Sequence, residues 1–203
     1  MFDKIVEIDQ NLFLALNFDG GPLLNIFFWI VTSKIIWVPL YLYILWLMYK
    51  KVGLRNAIIA AAIMGVMVGI IDQTCNLFKD LAPSPRPSHT PELEGLVHTI
   101  YEYLGGQSGT ASAHSAISFG VAVFSSIVIR KRMFTMGMII WATLVAYSRI
   151  YAGMHYPTDL LLGMFIGVLA ALLMHWLFQA VCMRIDRRAT QRSMQADMRE
   201  MSS

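Results

Sequence analysis

The residues from Tyr147 to Asp159 (Tyr-Ser-Arg-Ile-Tyr-Ala-Gly-Met-His-Tyr-Pro-Thr-Asp) carry an arginine, a histidine and an aspartate at spacings that suit work on an anion. Pro157 fits the first turn of a helix, where its missing N–H costs nothing. A helix starting near His155 places Asp159 one turn on, over the same face. An imidazole with a carboxylate partner is held in one tautomer, as a nucleophile or a base. Arg149, six residues before the histidine, is placed to clamp an anion against it. Taken alone, the stretch reads equally as a short loop with a satisfied histidine and two surface charges. The elements that position it have to decide.

Those elements are apolar. Hydrophobic residues make up 57% of the 203 residues and charged residues only 14%, in long, nearly uncharged runs. This composition predicts one all-α domain over residues 1–203, a polytopic transmembrane helical bundle of about five to six membrane segments. Its parts are an amphipathic interfacial helix over 1–20, a periplasmic active-site loop over 79–109 and a cytoplasmic tail over 184–203. No basic segment followed by a small-residue cleavage site opens the chain, so no cleaved signal peptide is expected. Cys75 and Cys182 fall at opposite membrane faces in this layout, against a disulfide or a shared metal. With a net charge of +3, the expected partners are the bilayer and its lipids, not nucleic acid. Nothing in the sequence speaks to oligomeric state.

Residues 1–20 alternate Phe2, Ile5, Ile8, Leu12, Phe13 and Leu16 with Asp3, Lys4, Glu7 and Asp9, the pattern of a helix lying in the interface. Asn17 to Gly21 is a turn. Pro22 to Met48 is longer than a bilayer core needs, and a break is expected near Ser33-Lys34. Ala57 to Phe78 is a second run, with Asp72, Gln73 and Asn76 near its end. Lys79 to Ser108 contains Pro83, Pro85, Pro87 and Pro91. It begins as a rigid non-helical loop, with a short helix expected over 91–104. Spans follow over 110–129, 133–147 and 157–183.

The positive-inside rule orients these spans. Lys50, Lys51, Arg55, Arg130, Lys131, Arg132, Arg184, Arg187, Arg188, Arg192 and Arg199 fall on one face, 11 of the 16 Lys and Arg residues. That face is cytoplasmic. Lys79, Arg86 and Arg149 fall on the other face, against the rule, so they serve something besides topology. His89, His98, His114, His155 and Asp159 gather there too, while His175 lies inside the last span as a packing residue. His89 reads as a loop residue, His98 and Glu102 as a helix-surface pair, and Trp29, Trp37, Trp46 and Trp176 as interface or packing anchors.

Three segments therefore converge outside the cytoplasmic face: 79–87, 110–114 and 147–159. One lysine and two arginines around two histidines suit a multiply charged oxyanion, most simply phosphate. Ser112 and the N–H groups after it, at the start of a helix, add a ready anion site.

Here the sequence resembles the type 2 phosphatidic acid phosphatase family, whose pattern is K-x6-RP, PSGH, then SR-x5-H-x3-D. Lys79-x6-Arg86-Pro87 and Ser148-Arg149-x5-His155-x3-Asp159 match in full. In Ala111-Ser112-Ala113-His114 the serine and histidine match, while alanines replace the proline and glycine. The likeness is to bacterial members acting on envelope lipids. It implies that His155 attacks phosphorus and carries a phosphohistidine, that Asp159 orients His155, and that His114 protonates the leaving oxygen and then activates water. It also implies that Lys79, Arg86, Arg149, Ser112 and the amide of Ala113 bind the phosphate, with no metal and no cofactor. The expected activity is hydrolysis of a lipid phosphate or diphosphate at the periplasmic side of a bacterial inner membrane. Undecaprenyl diphosphate is slightly favoured over lipid A phosphate. A phosphotransferase with another acceptor, a haloperoxidase with a related site and a non-catalytic lipid-binding scaffold are the alternatives.

Overall fold

The computed structural model describes residues 2–201. It is an all-α membrane bundle. Among the described residues no β-strand forms, and the nearest approach is a single antiparallel bridge between Pro85 and Ser108. The helices are α1 (Phe2–Leu16), α2 (Gly21–Thr32), α3 (Val38–Leu81), α4 (Ala113–Ile129), α5 (Arg132–Tyr151) and α6 (Pro157–Glu200). Helices α5 and α6, and α3 with the short turn before it, are long and apolar enough to cross a membrane; α4 is apolar and shorter, and α1 and α2 form a pair bent by 116°.

Helix α3 is two arms joined at Gly53, whose φ of 77° only glycine adopts without strain. In one straight helix Tyr41 and Gly65 would stand about 36 Å apart, yet both line one cavity, as do Leu45 and Ala61. The arms therefore run antiparallel. The basic residues Lys50, Lys51 and Arg55 flank the turn, and Arg55 pairs with Asp186 of α6 at 2.6 Å. Cys182 Sγ lies 3.7 Å from Asn56 Oδ1 at this same end, while Cys75 is buried in the second arm, near the opposite end.

The expected break in 22–48 is present: α2 stops at Thr32, Ser33 is extended, and helix resumes through a short turn at Ile35–Trp37. The short helix expected over 91–104 is not formed. That segment holds two isolated turns, Pro91–Leu93 and Ile100–Glu102, after a third at Pro87–His89, and Tyr101 and Glu102 take positive φ, which ends any helix there. His98 and Glu102 consequently make no helix-surface pair. His98 Nε2 instead meets Asn25 Oδ1 at 3.0 Å, and its N–H donates to Asn17 Oδ1 at 2.7 Å. His89 is half-buried against Ser88 Oγ at 3.2 Å.

Helix α4 lies at the centre, between α3, α5 and α6. It meets α6 through small residues. A Cβ on Gly163 would strike the Ser112 carbonyl, and one on Gly167 the Ala116 carbonyl and the Gly120 amide. This close approach, of the small-xxx-small kind, holds the start of α4 against the start of α6, where the candidate site lies. Gly167→Leu forces backbone against backbone, and overpacking of this kind costs about 1–3 kcal/mol or more. The expected result is a Tm lowered by several degrees in detergent, together with lost activity; an unchanged Tm would refute the close packing.

Helix α1 belongs to the bundle. Phe13 is buried and meets the Tyr156 ring edge-on at 5.5 Å. Asp9 receives the Thr158 N–H at 3.1 Å and also the Thr158 hydroxyl, capping α6. Buried Asn17 donates to the carbonyls of Ile150 (2.9 Å), Tyr151 (3.1 Å) and His98 (3.0 Å). Its bond to Tyr151 satisfies a carbonyl that the end of α5 leaves free.

Candidate active site

Helix α6 starts at Pro157, two residues later than His155, and His155 sits in the turn before it. The expected pairing holds nonetheless. His155 Nδ1 lies 2.8 Å from the Gly109 carbonyl and 3.3 Å from Asp159 Oδ2. Both neighbours only accept, so Nδ1 carries the proton and donates to them, and Nε2 keeps a lone pair. Nε2 has no hydrogen-bond partner among the described residues. Asp159 Oδ2 also receives the Tyr156 N–H at 3.1 Å, and the Asp159 carbonyl receives the Ser112 N–H at 3.2 Å. One carboxylate thus fixes both the tautomer of His155 and the turn that carries it. His155 and Asp159 are buried, at 3% and 8% exposure. Burial pushes the His155 imidazole below its ordinary value, opposed in part by the hydrogen bond and charge of Asp159. His155 is therefore neutral at pH 7.

Two loop strands carry the cations to the mouth. The Arg86 N–H donates to the Gln107 carbonyl (3.0 Å) and the Gly109 N–H to the Ser84 carbonyl (2.9 Å), while Thr110 Oγ1 bonds the Ala82 carbonyl. The proline-rich loop is in this way laced to the segment that enters α4. The Arg86 guanidinium is fixed by Nε donation to the Ser108 carbonyl at 3.0 Å and by Nη1 contact with Met154 Sδ at 3.2 Å. Gly109 is required there, because a Cβ would stand 2.8 Å from Arg86 Cγ and 3.4 Å from His155 Nδ1. Lys79 ends α3 and donates to Asn76 Oδ1 at 3.2 Å. Arg149, 8% exposed near the end of α5, donates through Nη1 to Thr32 Oγ1, and its Nε is unpartnered among the described residues.

Lys79, Arg86, Ala113, His114, Arg149 and His155 line one cavity of about 620 Å³. Its other wall is apolar, with Val31, Trp37, Leu45, Met64, Val121 and Val145 reaching between α3, α4 and α5. A polar end with three cations and two imidazoles opens into an apolar chamber. Asp159 stands behind His155. Ser112 is fully buried and serves as the N-cap of α4, its Oγ accepting from the Ser115 N–H at 3.4 Å. Its part in the site is to set the helix start that presents Ala113 and His114. Neither Ala111 nor Ala113 has a positive φ, so alanine in place of the motif's proline and glycine is unstrained here.

The sequence motifs pass over several residues that the fold brings in. The Gly109 carbonyl orients His155; Thr32, from a distant helix, holds Arg149; and Lys34 lines the cavity. The signals were a glycine before the middle motif and polar residues inside an apolar run.

Residues 56–182 match the model of the PAP2 superfamily. The chain is 34% identical over 191 residues to a lipid A 4'-phosphatase of Bacteroides thetaiotaomicron, covering 93% of this chain and 83% of that protein. It is 34% identical over 168 residues to a lipid A 4'-phosphatase of Porphyromonas gingivalis, covering 82% of this chain and 71% of that one. Its fold is similar to that of a transmembrane PAP2-type phosphatidylglycerolphosphate phosphatase from Bacillus subtilis, with a TM-score of 0.67 at 21% identity and 88% of each chain covered. The chain is a multi-pass membrane phosphatase and belongs to the PAP2 superfamily.

Proposed function

We propose that this phosphatase removes a phosphate from lipid A at the periplasmic side of a bacterial inner membrane, through a covalent intermediate on His155. The observation that carries the mechanism is the Nδ1 proton of His155 shared between Gly109 and Asp159, which leaves Nε2 free beside three cations. The lone pair on Nε2 forms a bond to phosphorus as the P–O bond to the lipid breaks. His114 gives its proton to the leaving oxygen. In the second step His114 takes a proton from water, the water oxygen bonds phosphorus and the P–N bond breaks. Phosphate leaves, and both histidines return to their starting forms. Lys79, Arg86 and Arg149 neutralise the charge on the equatorial oxygens throughout.

The relatives' names support lipid A as the lipid, and the apolar chamber beside the cations suits an acylated or prenylated tail. Undecaprenyl diphosphate is the second reading, favoured by an additional cation in the cavity, Lys34.

The test is phosphate release by the purified chain in detergent with EDTA present. Bisphosphorylated lipid A, undecaprenyl diphosphate and phosphatidic acid are compared at equal concentration. The expected result is release from lipid A that EDTA leaves intact. Release abolished by EDTA and restored by Mg²⁺ would overturn the histidine-and-cation mechanism. Release from phosphatidic acid alone would overturn the substrate.

A further inference from the structure

Two cavities meet at the phosphate site. The first holds His155 and the apolar chamber; a second, of about 310 Å³, lies between α2 and the turn at Ile100–Glu102. They share Thr32, Tyr103, His114 and Arg149, whereas His155 lines the first cavity alone. Attack and departure lie roughly in line through phosphorus. A group displaced by His155 therefore points away from it, toward His114 and the second cavity.

Aromatic rings wall that second cavity. Trp29 and Tyr103 line it, and the Trp29 ring meets Tyr101 at 5.5 Å and Tyr103 at 6.1 Å, at 82° and 81°. Neither pair is stacked, and Trp29, Tyr101 and Tyr103 are 42%, 62% and 53% exposed, so each keeps ring surface free. An aromatic residue that only anchors the chain at the interface faces lipid headgroups. Trp29 and Tyr103 instead wall a cavity that ends on the Arg149 guanidinium and the His114 imidazole. Packing holds the rings in place. Ile100, 1% exposed, is clustered with Phe28, Tyr151, Ala152 and Met154, which fixes the turn against α2 and the end of α5. Tyr101 and Glu102 take φ of 53° and 57°, a conformation that bulky residues adopt where the surrounding structure imposes it, often at ligand clamps.

We infer that Trp29, Tyr101 and Tyr103 form a platform for a sugar ring, the one that bears the phosphate being removed. One face of a pyranose is a row of C–H groups and packs on an aromatic face, while its hydroxyl edges suit the indole N–H and the phenols. Neither a polyprenyl chain nor a glycerol backbone presents such a ring. The inference rests on the lipid A reading above and names what recognises its headgroup. The phosphates of lipid A are esters of sugar hydroxyls, so the alcohol that takes the proton of His114 is the sugar itself.

Two measurements test this. The first is kcat/KM for lipid A and for dodecyl phosphate, which has no sugar, in wild type, Trp29→Leu and Trp29→Phe. Trp29→Leu is expected to lower the ratio of lipid A to dodecyl phosphate about tenfold, and Trp29→Phe to keep it within about threefold. A Trp29→Leu ratio equal to wild type overturns the inference. The second measurement needs no lipid: the rise in Tm of the purified full chain with N-acetylglucosamine 1-phosphate and with glycerol 3-phosphate. Wild type is expected to respond to the sugar phosphate at about tenfold lower concentration, and Trp29→Leu to lose that preference. A preference that is absent from wild type, or that survives Trp29→Leu, also overturns it. Wild type that releases no phosphate from lipid A while the Tm preference follows Trp29 would sink the proposed function and leave the platform standing. Release from lipid A with no sugar preference would sink the platform and leave the proposed function standing.

Discussion

His155→Ala is expected to abolish phosphate release, by about 10⁴-fold or more in kcat, because the proposed nucleophile is gone. The same change leaves the bundle folded, since His155 occupies a turn whose backbone is held by Asp159 and Ser112. A Tm close to wild type accompanies the lost rate. Stopping wild type in mid-turnover with labelled lipid should trap acid-labile, alkali-stable label on the protein. His155→Ala should trap none, whereas His114→Ala, which lacks the proton donor for the leaving oxygen, should accept label slowly and then hold it. Residual turnover above about 1% of wild type in His155→Ala would remove the histidine from the nucleophile's role. The pH dependence follows from the same burial. Because the folded protein holds His155 below the ordinary imidazole value of about 6.5, the nucleophile stays neutral as pH falls through that value. The acid limb caused by its protonation therefore lies below pH 6.5. Asp159 opposes the downward shift, so Asp159→Asn should move that limb to still lower pH while also slowing the reaction. A limb that moved upward would contradict the assigned hydrogen bond.

Arg149→Ala should cost about 10²–10³ in kcat/KM, the magnitude seen when one preorganised donor to a developing negative charge is removed. Arg149 is well placed for such a value. It is nearly buried, near the end of a helix, with one guanidinium nitrogen already committed to Thr32 and its fork beside the cavity. Arg149→Lys should recover little, because an ammonium cannot reach Thr32 and the phosphate with two planar donors at once. Thr32→Val removes the acceptor and leaves a cation without its tether. The expected loss is about tenfold, appearing in kcat more than in KM. If Thr32→Val matched wild type while Arg149→Ala failed, Arg149 would be held by α5 alone and the α2–α3 break would be incidental.

Much of this site was legible in residue order alone. The spacings Lys79-x6-Arg86 and Arg149-x5-His155-x3-Asp159 are local. A separation of four across the start of α6 places His155 against Asp159 whatever the rest of the chain does, and they meet at 3.3 Å. Hydropathy likewise forced the all-α membrane class, because a backbone in lipid has to satisfy its own hydrogen bonds. The break at Ser33-Lys34 followed from a run too long for one bilayer crossing.

Other features were out of reach, since each depends on two elements distant in sequence. The short helix expected over 91–104 gives way to turns, because His98 is bound by Asn17 and Asn25 from the other end of the chain. Ser112 looked like a phosphate ligand by motif, but α4 uses its hydroxyl as a cap and buries it. Helix α1 was assigned to the interface from its amphipathic pattern. Its apolar face is in fact partly covered by the bundle, and Asp9 caps the helix that carries Asp159. A periodicity records that a face is apolar and leaves open whether lipid or protein covers it.

The sequence by itself determined the class of this protein, an all-α membrane phosphatase of the PAP2 superfamily, and the order of its charged motifs along an apolar chain. Only the tertiary structure decided how those motifs are aimed. Gly163 and Gly167 let α6 approach α4 backbone to backbone, the carbonyl of Gly109 sets the tautomer of His155, and a broken helix far upstream delivers Thr32 and Lys34 to Arg149 and the cavity. The physical reason is range. Spacing along one helix fixes contacts within a turn or two, whereas the orientation of a buried imidazole or guanidinium is set by whichever acceptor the packing of other helices brings within about 3 Å.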